Sequence, residues 1–270
     1  MLGAIAGDII GSAYGFAGRK DYDFELFPEW CRFTDDTVMT LDMVMTLAVA
    51  KWLIQYDERY HTKEQLVSCI KELGLAYPYA GYGSMFHAWL WREASYAYKS
   101  YGNGLAMRVS PIGLYADTLD EALELASMSA EVSHSHPEGI KGAQAVAAAV
   151  WMADNGYTKT VIREYIESTF GYDLSRTIDE IRPTYKWDST CQGSVPEAII
   201  GFLDGKDFED VVRLVVSLGG DAGTQAAIAG GIAACVYPIP EHIAEECERR
   251  LPPELLEIMR NFERFIKEPV

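Results

Sequence analysis

The sequence predicts an all-α fold built as a single compact domain over residues 1–270, and three observations carry that expectation. Apolar residues recur at helical spacing, whereas strand-like alternation is weak. Helix-start signals repeat along the chain. Alanine and glycine gather in 139–149 and 226–234, which suggests helices whose backbones approach closely. With 270 residues, 49% of them hydrophobic and 23% charged, the chain is long enough to bury a substantial core.

The elements follow in order. The first eighteen residues are apolar but hold Asp8 and five glycines, with no Lys or Arg before Arg19, so they resemble neither a signal peptide nor a membrane span. Residues 35–56 are long, apolar and free of Gly and Pro, with acids at the start where the helix dipole favours them. Thr62 with Gln65 and Thr118 with Glu121 have capping-box spacing ahead of periodic segments. A helix is expected from Pro137, a favoured first helical residue, to a stop at Gly156. Short helices with glycine stops follow in 194–205 and 207–220, and "LVVSL" (214–218) fits the helical period as well as a strand. The tail 252–266 is amphipathic, with Leu255, Leu256, Met259, Phe262 and Phe265 along one side.

Charge and cysteine usage exclude several classes. A formal charge of −17 with no basic stretch argues against a nucleic-acid backbone binder. An acidic protein handling an anionic ligand needs helix N-termini or divalent cations. The five cysteines (Cys31, Cys69, Cys191, Cys235, Cys247) are scattered and contain no CxxC pair, as expected of free thiols in a reducing compartment. No apolar run is long enough to cross a bilayer, so a cytoplasmic protein without membrane partners is expected.

Four stretches offer chemistry. In "CRFTDDTVMT", Thr34, Asp35 and Asp36 stand at a helix start, where hydroxyl and carboxylate oxygens suit a hard cation or simply cap the helix. "SLGGDAGTQAAIAGG" places Asp221 and Thr224 at a second helix start, with the same two readings. "YGNGLAMRVSPIGLYA" surrounds Asn103 with Gly102 and Gly104 in a loop able to host a sugar or phosphate, or to serve as a plain connection. "EVSHSHPEGIKGA" carries His134 and His136, without further nitrogen or sulfur ligands at zinc spacing. Another glycine loop, "YAGYGSMF", offers Tyr82 as a stacking surface or ordinary turn chemistry.

Taken together, "GAIAGDIIGSAYGF", "RFTDDTVMT", "GNGLAMRVSPIG", "SHSHPEGIKGA" and "LGGDAGTQAAIAGGIAA" occur in the order that resembles the ADP-ribosylglycohydrolase (ADP-ribosylhydrolase) family, which includes the dinitrogenase-reductase-activating glycohydrolases. The resemblance implies an all-α fold with a Mg²⁺ or Mn²⁺ centre of one or two ions beneath an ADP-ribose cleft. On it, Thr34, Asp35, Asp36, Asp221 and Thr224 are the metal ligands, and Asp35 and Asp36 double as the catalytic carboxylates. Gly81, Tyr82, Gly83, Ser84, Asn103, Gly104, Met107 and His134 are the substrate-contacting residues. The implied partner is ADP-ribose or an ADP-ribosylated acceptor, cleaved at ribose C1″ by a monomer.

Two positions depart from the family pattern. Its last motif reads GGD-T-D-T, and Gly223 stands where the second aspartate belongs. Its N-terminal motif reads G-S-x-Y-E, and Gly15 replaces the glutamate, with Glu25 as a substitute from the next loop. These losses keep two further readings open: a catalytically impaired ADP-ribose or nucleotide-binding protein, and a hydrolase of another ribosyl or nucleoside compound.

Overall fold

The structure, a computed structural model, describes residues 1–15, 17–29, 41–55, 60–94 and 96–267. Thr34, Asp35, Asp36 and Cys31 lie outside the described residues, as does the expected start of the 35–56 helix. Every element of three or more residues among the described ones is helical. Helices α1 (Leu2–Ser12), α2 (Leu41–Gln55), α3 (Lys63–Ala76) and α4 (Ser84–Leu90) come first. The middle holds α5 (Gly104–Met107), α6 (Ser110–Tyr115), α7 (Leu119–Glu131), α8 (Pro137–Asp154), α9 (Lys159–Phe170) and α10 (Ile178–Ile181). The chain ends with α11 (Cys191–Asp204), α12 (Phe208–Val216), α13 (Ala222–Ala233), α14 (Glu241–Arg250) and α15 (Pro253–Lys267). Among the described residues, extended pairing is confined to two isolated bridges, Tyr98 with His134 and Gly102 with Thr190.

Side-chain caps open many of the helices. Thr62 accepts from the Gln65 amide while the Gln65 side chain accepts from the Thr62 amide, completing the expected capping box. Thr118 caps α7 through the Glu121 amide, but the Glu121 carboxylate reaches back one residue further, to the Asp117 amide at 2.8 Å. The helix expected over 194–205 begins at Cys191, because Thr190 caps it through the Gly193 amide at 3.2 Å. Pro196 consequently lies inside α11. "LVVSL" is helical, closing α12. In α15, Leu255, Met259 and Phe262 are buried, and the half-buried Phe265 stacks on Tyr115.

The axis of the fold is the seam between α1 and α13. Gly3, Gly7 and Gly11 recur every fourth residue and so share one face of α1. A Cβ at Gly7 would lie 1.9 Å from the Ala226 carbonyl oxygen, and one at Gly11 would lie 2.2 Å from that of Ala222. Gly230 answers from α13, with its own Cβ position 2.5 Å from the Gly3 carbonyl oxygen. Two backbones therefore touch directly, which no residue larger than glycine permits at these positions. The alanine–glycine run of 226–234 does pack closely, as expected, and its partner is the N-terminal helix. The other run, in α8, is buried against α6 and α11; Gly142 meets Cys191 there.

Candidate functional site

The seam brings two acids, Asp8 and Asp221, to the wall of one cavity of about 750 Å³. Asp8 projects from α1 and is buried. Its Oδ1 accepts from Ser12 Oγ at 2.8 Å, and its Oδ2 from the Met43 amide at 3.0 Å. Burial pushes the Asp8 carboxyl up to about 7 against those two hydrogen bonds, and the charge of Asp221 adds to the rise.

Asp221 arrives from the opposite side, at the N-cap position of α13. The turn before it is fixed by Gly219, whose φ of +64° suits glycine and whose Cβ position is filled by the Gly18 and Arg19 backbone. Lys20 Nζ ties the same turn by donating to the Leu218 carbonyl and, at 2.6 Å, to that of Tyr185. The Asp221 carboxylate is held from its own helix by Thr224. Its Oδ2 also accepts from Asn103 Nδ2, across the cavity wall, at 2.9 Å. Burial raises its carboxyl above the ordinary range, while hydrogen bonds from Asn103 and Thr224 pull the other way. Asp221 thus serves its own helix start and is also tied to the Asn103 loop.

Asn103 is held by its backbone, with its amide donating to the Ser189 carbonyl at 2.8 Å and the Cys191 amide donating to that of Tyr101 at 2.8 Å. Above it stands a wall of opposite character. Arg108 is fully buried, with Nε donating to Ser129 Oγ at 3.2 Å and Nη2 to the Ser129 carbonyl and to Ser133 Oγ. No carboxylate pairs with it among the described residues, and burial lowers its guanidinium to about 10. His134 lies beside it, with Nδ1 2.8 Å from Ser133 Oγ and Nε2 3.1 Å from Tyr98 Oη. Burial first, and then the Arg108 charge, hold His134 at about 3, so its ring is neutral.

Asn103, Gly104, Met107 and His134 all line the cavity, together with Asp221 and Thr224. Gly81, Gly83 and Ser84 form part of its mouth. Tyr82 faces elsewhere; its ring packs on Phe86 with centroids 5.5 Å apart, and the exposed Tyr79 stands at the mouth in its place. His136 caps α8, where Nδ1 accepts from the Glu138 amide at 3.2 Å. Glu25 is exposed and is not among the residues that line the cavity; its carbonyl accepts from Tyr14 Oη. Sequence reasoning did not single out Asp8, Tyr98, Arg108 or Trp187, all of which line the cavity. The signal for Asp8 was present: a lone acid inside an apolar, glycine-spaced helix.

Among the described residues no cluster of three His, Cys, Asp or Glu side chains has metal-binding geometry. The donors that meet at the floor are the oxygens of Asp221 and Thr224, with Asp8 nearby. An oxygen-only set fits a hard cation such as Mg²⁺ or Mn²⁺ and not zinc. The two departures from the family pattern both line this cavity. A Cβ on Gly223 would sit 2.6 Å from Ser12 Oγ and 3.3 Å from Asp8 Oδ1, so a side chain there requires the Ser12 hydroxyl to turn away. A Cβ on Gly15 meets nothing closer than the Ser12 carbonyl, at 3.7 Å.

Comparison with known proteins bears on the family and the fold. The ADP-ribosylglycohydrolase family profile matches residues 1–268. The ADP-ribosylhydrolase ARH3 of Gallus gallus is 26% identical over 82% of this chain and 75% of its own, and that of Bos taurus is 25% identical over 92% and 87%. An uncharacterised protein of Archaeoglobus fulgidus is 31% identical; the match spans 54% of this chain and about half (53%) of that relative's length. A solved structure described as an ADP-ribosylglycohydrolase-related protein complex superposes with a TM-score of 0.68 over 98% of this chain and 97% of its own, at 23% identity, which establishes the likeness of fold. The chain belongs to the ADP-ribosylglycohydrolase family.

Proposed function

We propose that the cleft takes the ADP-ribosyl group of a modified acceptor and hydrolyses its bond at ribose C1″, releasing ADP-ribose. The observation that carries this reading is that Asp8 and Asp221, brought from either side of the α1–α13 seam, line one cavity sized for a nucleotide ligand. Ligand pockets run to about 300–1,000 Å³, and this one falls inside that range. Asp221 and Thr224, with Thr34, Asp35 and Asp36, would hold one or two Mg²⁺ or Mn²⁺ ions. Such an ion, when bound, orients the ribose oxygens and water and polarises them.

The chain's own residues have separable tasks. Asn103 holds the Asp221 carboxylate in one orientation through the 2.9 Å hydrogen bond. The carboxylates of the floor, Asp35 and Asp36 among them, favour a sugar that becomes cation-like as the C1″ bond breaks. Arg108 offsets the pyrophosphate charge in a protein of net charge −17. The protein works as a monomer in the cytoplasm.

The test is release of ADP-ribose from ADP-ribosylated serine and arginine peptides in the presence of Mg²⁺. Release that disappears with EDTA is expected. Gly15 and Gly223 favour a second reading, in which the cleft binds ADP-ribose without turning it over. No release above background, alongside micromolar ADP-ribose affinity, supports that reading and overturns the first.

A further inference from the structure

The wall opposite the floor contains a chain of hydrogen bonds whose direction can be worked out. A guanidinium only donates. Arg108 Nη2 therefore donates to Ser133 Oγ, at 3.2 Å. Ser133 is fully buried, and its hydroxyl has two partners, Arg108 and His134 Nδ1. If Nδ1 carried the ring proton, Ser133 Oγ would accept twice and its own buried proton would have no acceptor. The Ser133 hydroxyl thus donates to Nδ1. The ring is neutral, so its single proton sits on Nε2 and is donated to Tyr98 Oη, 3.1 Å away. Tyr98 has then spent its acceptor on His134, and its own proton is directed to the cavity that its side chain lines.

We propose that Tyr98 Oη is a fixed hydrogen-bond donor into the cleft, its direction set by Arg108 through Ser133 and His134, and that it takes an anionic oxygen of the phosphate class. This deepens the proposed function and rests on it for the ligand. The preference for an anion comes from Arg108, a buried charge with no carboxylate partner among the described residues and with Nη1 left without a protein partner there. His134 is on this account a positioning residue, with no proton to exchange. Two bridging hydrogen bonds hold the geometry: the Tyr98 amide donates to the Ser133 carbonyl at 2.9 Å and the Ser135 amide to the Tyr98 carbonyl at 3.1 Å.

Two measurements on the full-length protein test it. Nitrogen-15 NMR of the free protein reads the His134 tautomer. The expected result is Nε2–H in the wild type and loss of that fixed tautomer in Ser133→Ala. A wild-type ring protonated at Nδ1 overturns the proposal. Calorimetric titration with ADP-ribose then compares the wild type with Tyr98→Phe, which removes only the hydroxyl. A loss of about tenfold in affinity is expected, the size of one hydrogen bond to a charged group. Unchanged affinity overturns the donor role. Should the wild type fail to bind ADP-ribose, the proposed function is what fails, and the tautomer still decides the direction of the chain by itself.

Discussion

The floor and the wall of the cleft hold ionisable groups of opposite kind. Buried ionisable groups are normally paired with opposite charge. At the floor, Asp8 and Asp221 both line the cavity, and burial pushes each towards its neutral form. At the wall, Arg108 is a buried cation without a carboxylate, and His134 beside it is kept neutral. The two acids and the guanidinium line one cavity, and no carboxylate pairs with Arg108 among the described residues. A fold selected for stability alone would pair or remove that buried cation. The arrangement makes sense if a ligand brings phosphate to the wall and a cation to Asp221 at the floor.

The two regions are also built differently. The floor depends on backbone contact between α1 and α13, whereas the wall depends on side chains hydrogen-bonded to a short loop and the end of α7. Breaking the floor should therefore be the more damaging. Gly7→Ala forces a methyl group against the Ala226 carbonyl, which cannot move without parting the helices. A loss of about 3 kcal/mol or more is expected in urea unfolding, the range of severe core overpacking. A loss below about 1 kcal/mol would mean that the seam is looser than described.

Asp221→Asn comes next and separates function from stability. It removes one of the two crowded charges while keeping the shape that Asn103 recognises. ADP-ribose release should fall by at least about a hundredfold, as when a key electrostatic group is removed, while the melting temperature stays level or rises. A lowered melting temperature with intact release would assign Asp221 a structural role.

The wall yields a pH signature. The folded protein keeps His134 neutral down to about 3, whereas the unfolded chain takes up that proton near 6.5. The unfolded state binds more protons in this window, so the contribution is complete above about pH 6.5 and is lost as pH falls. His134→Gln should abolish roughly 2 kcal/mol of the wild-type decline in stability between pH 7 and 5. Parallel curves for the two proteins would show that His134 titrates normally. The smallest effect is expected from Gly223→Asp, which restores an acid at the cost of turning Ser12 away from Asp8. A gain of about tenfold in Mg²⁺ affinity follows if that acid reaches the ion.

Local signals in the sequence were largely sufficient for the fold. Thr62, Thr118 and Pro137 start helices where their chemistry requires, and the apolar stripe of α15 is buried at Leu255, Met259 and Phe262. Thr190 was missed as a start because Gly193 and Ser194 follow it, residues that also suit a loop. The glycines of α1 were visible as composition, but their meaning depends on Ala226 and Gly230, more than two hundred residues away. The site was legible in the same uneven way. Asp221, Thr224, Asn103 and His134 announced themselves by their motifs, and all line one cavity. Arg108 and Tyr98 did not, because an arginine after a helical turn and a tyrosine in a loop acquire chemistry only when the Tyr98–His134 bridge brings them together. Tyr82 carried a stacking expectation that its neighbour Phe86 absorbs.

The central claim, that one cleft joins a cation floor to an anion wall, is tested most directly by titrating ADP-ribose into the wild-type protein with Mg²⁺ and again with EDTA. The account predicts tighter binding with Mg²⁺, and loss of that gain in Asp221→Asn. Equal affinity in Mg²⁺ and in EDTA would contradict it.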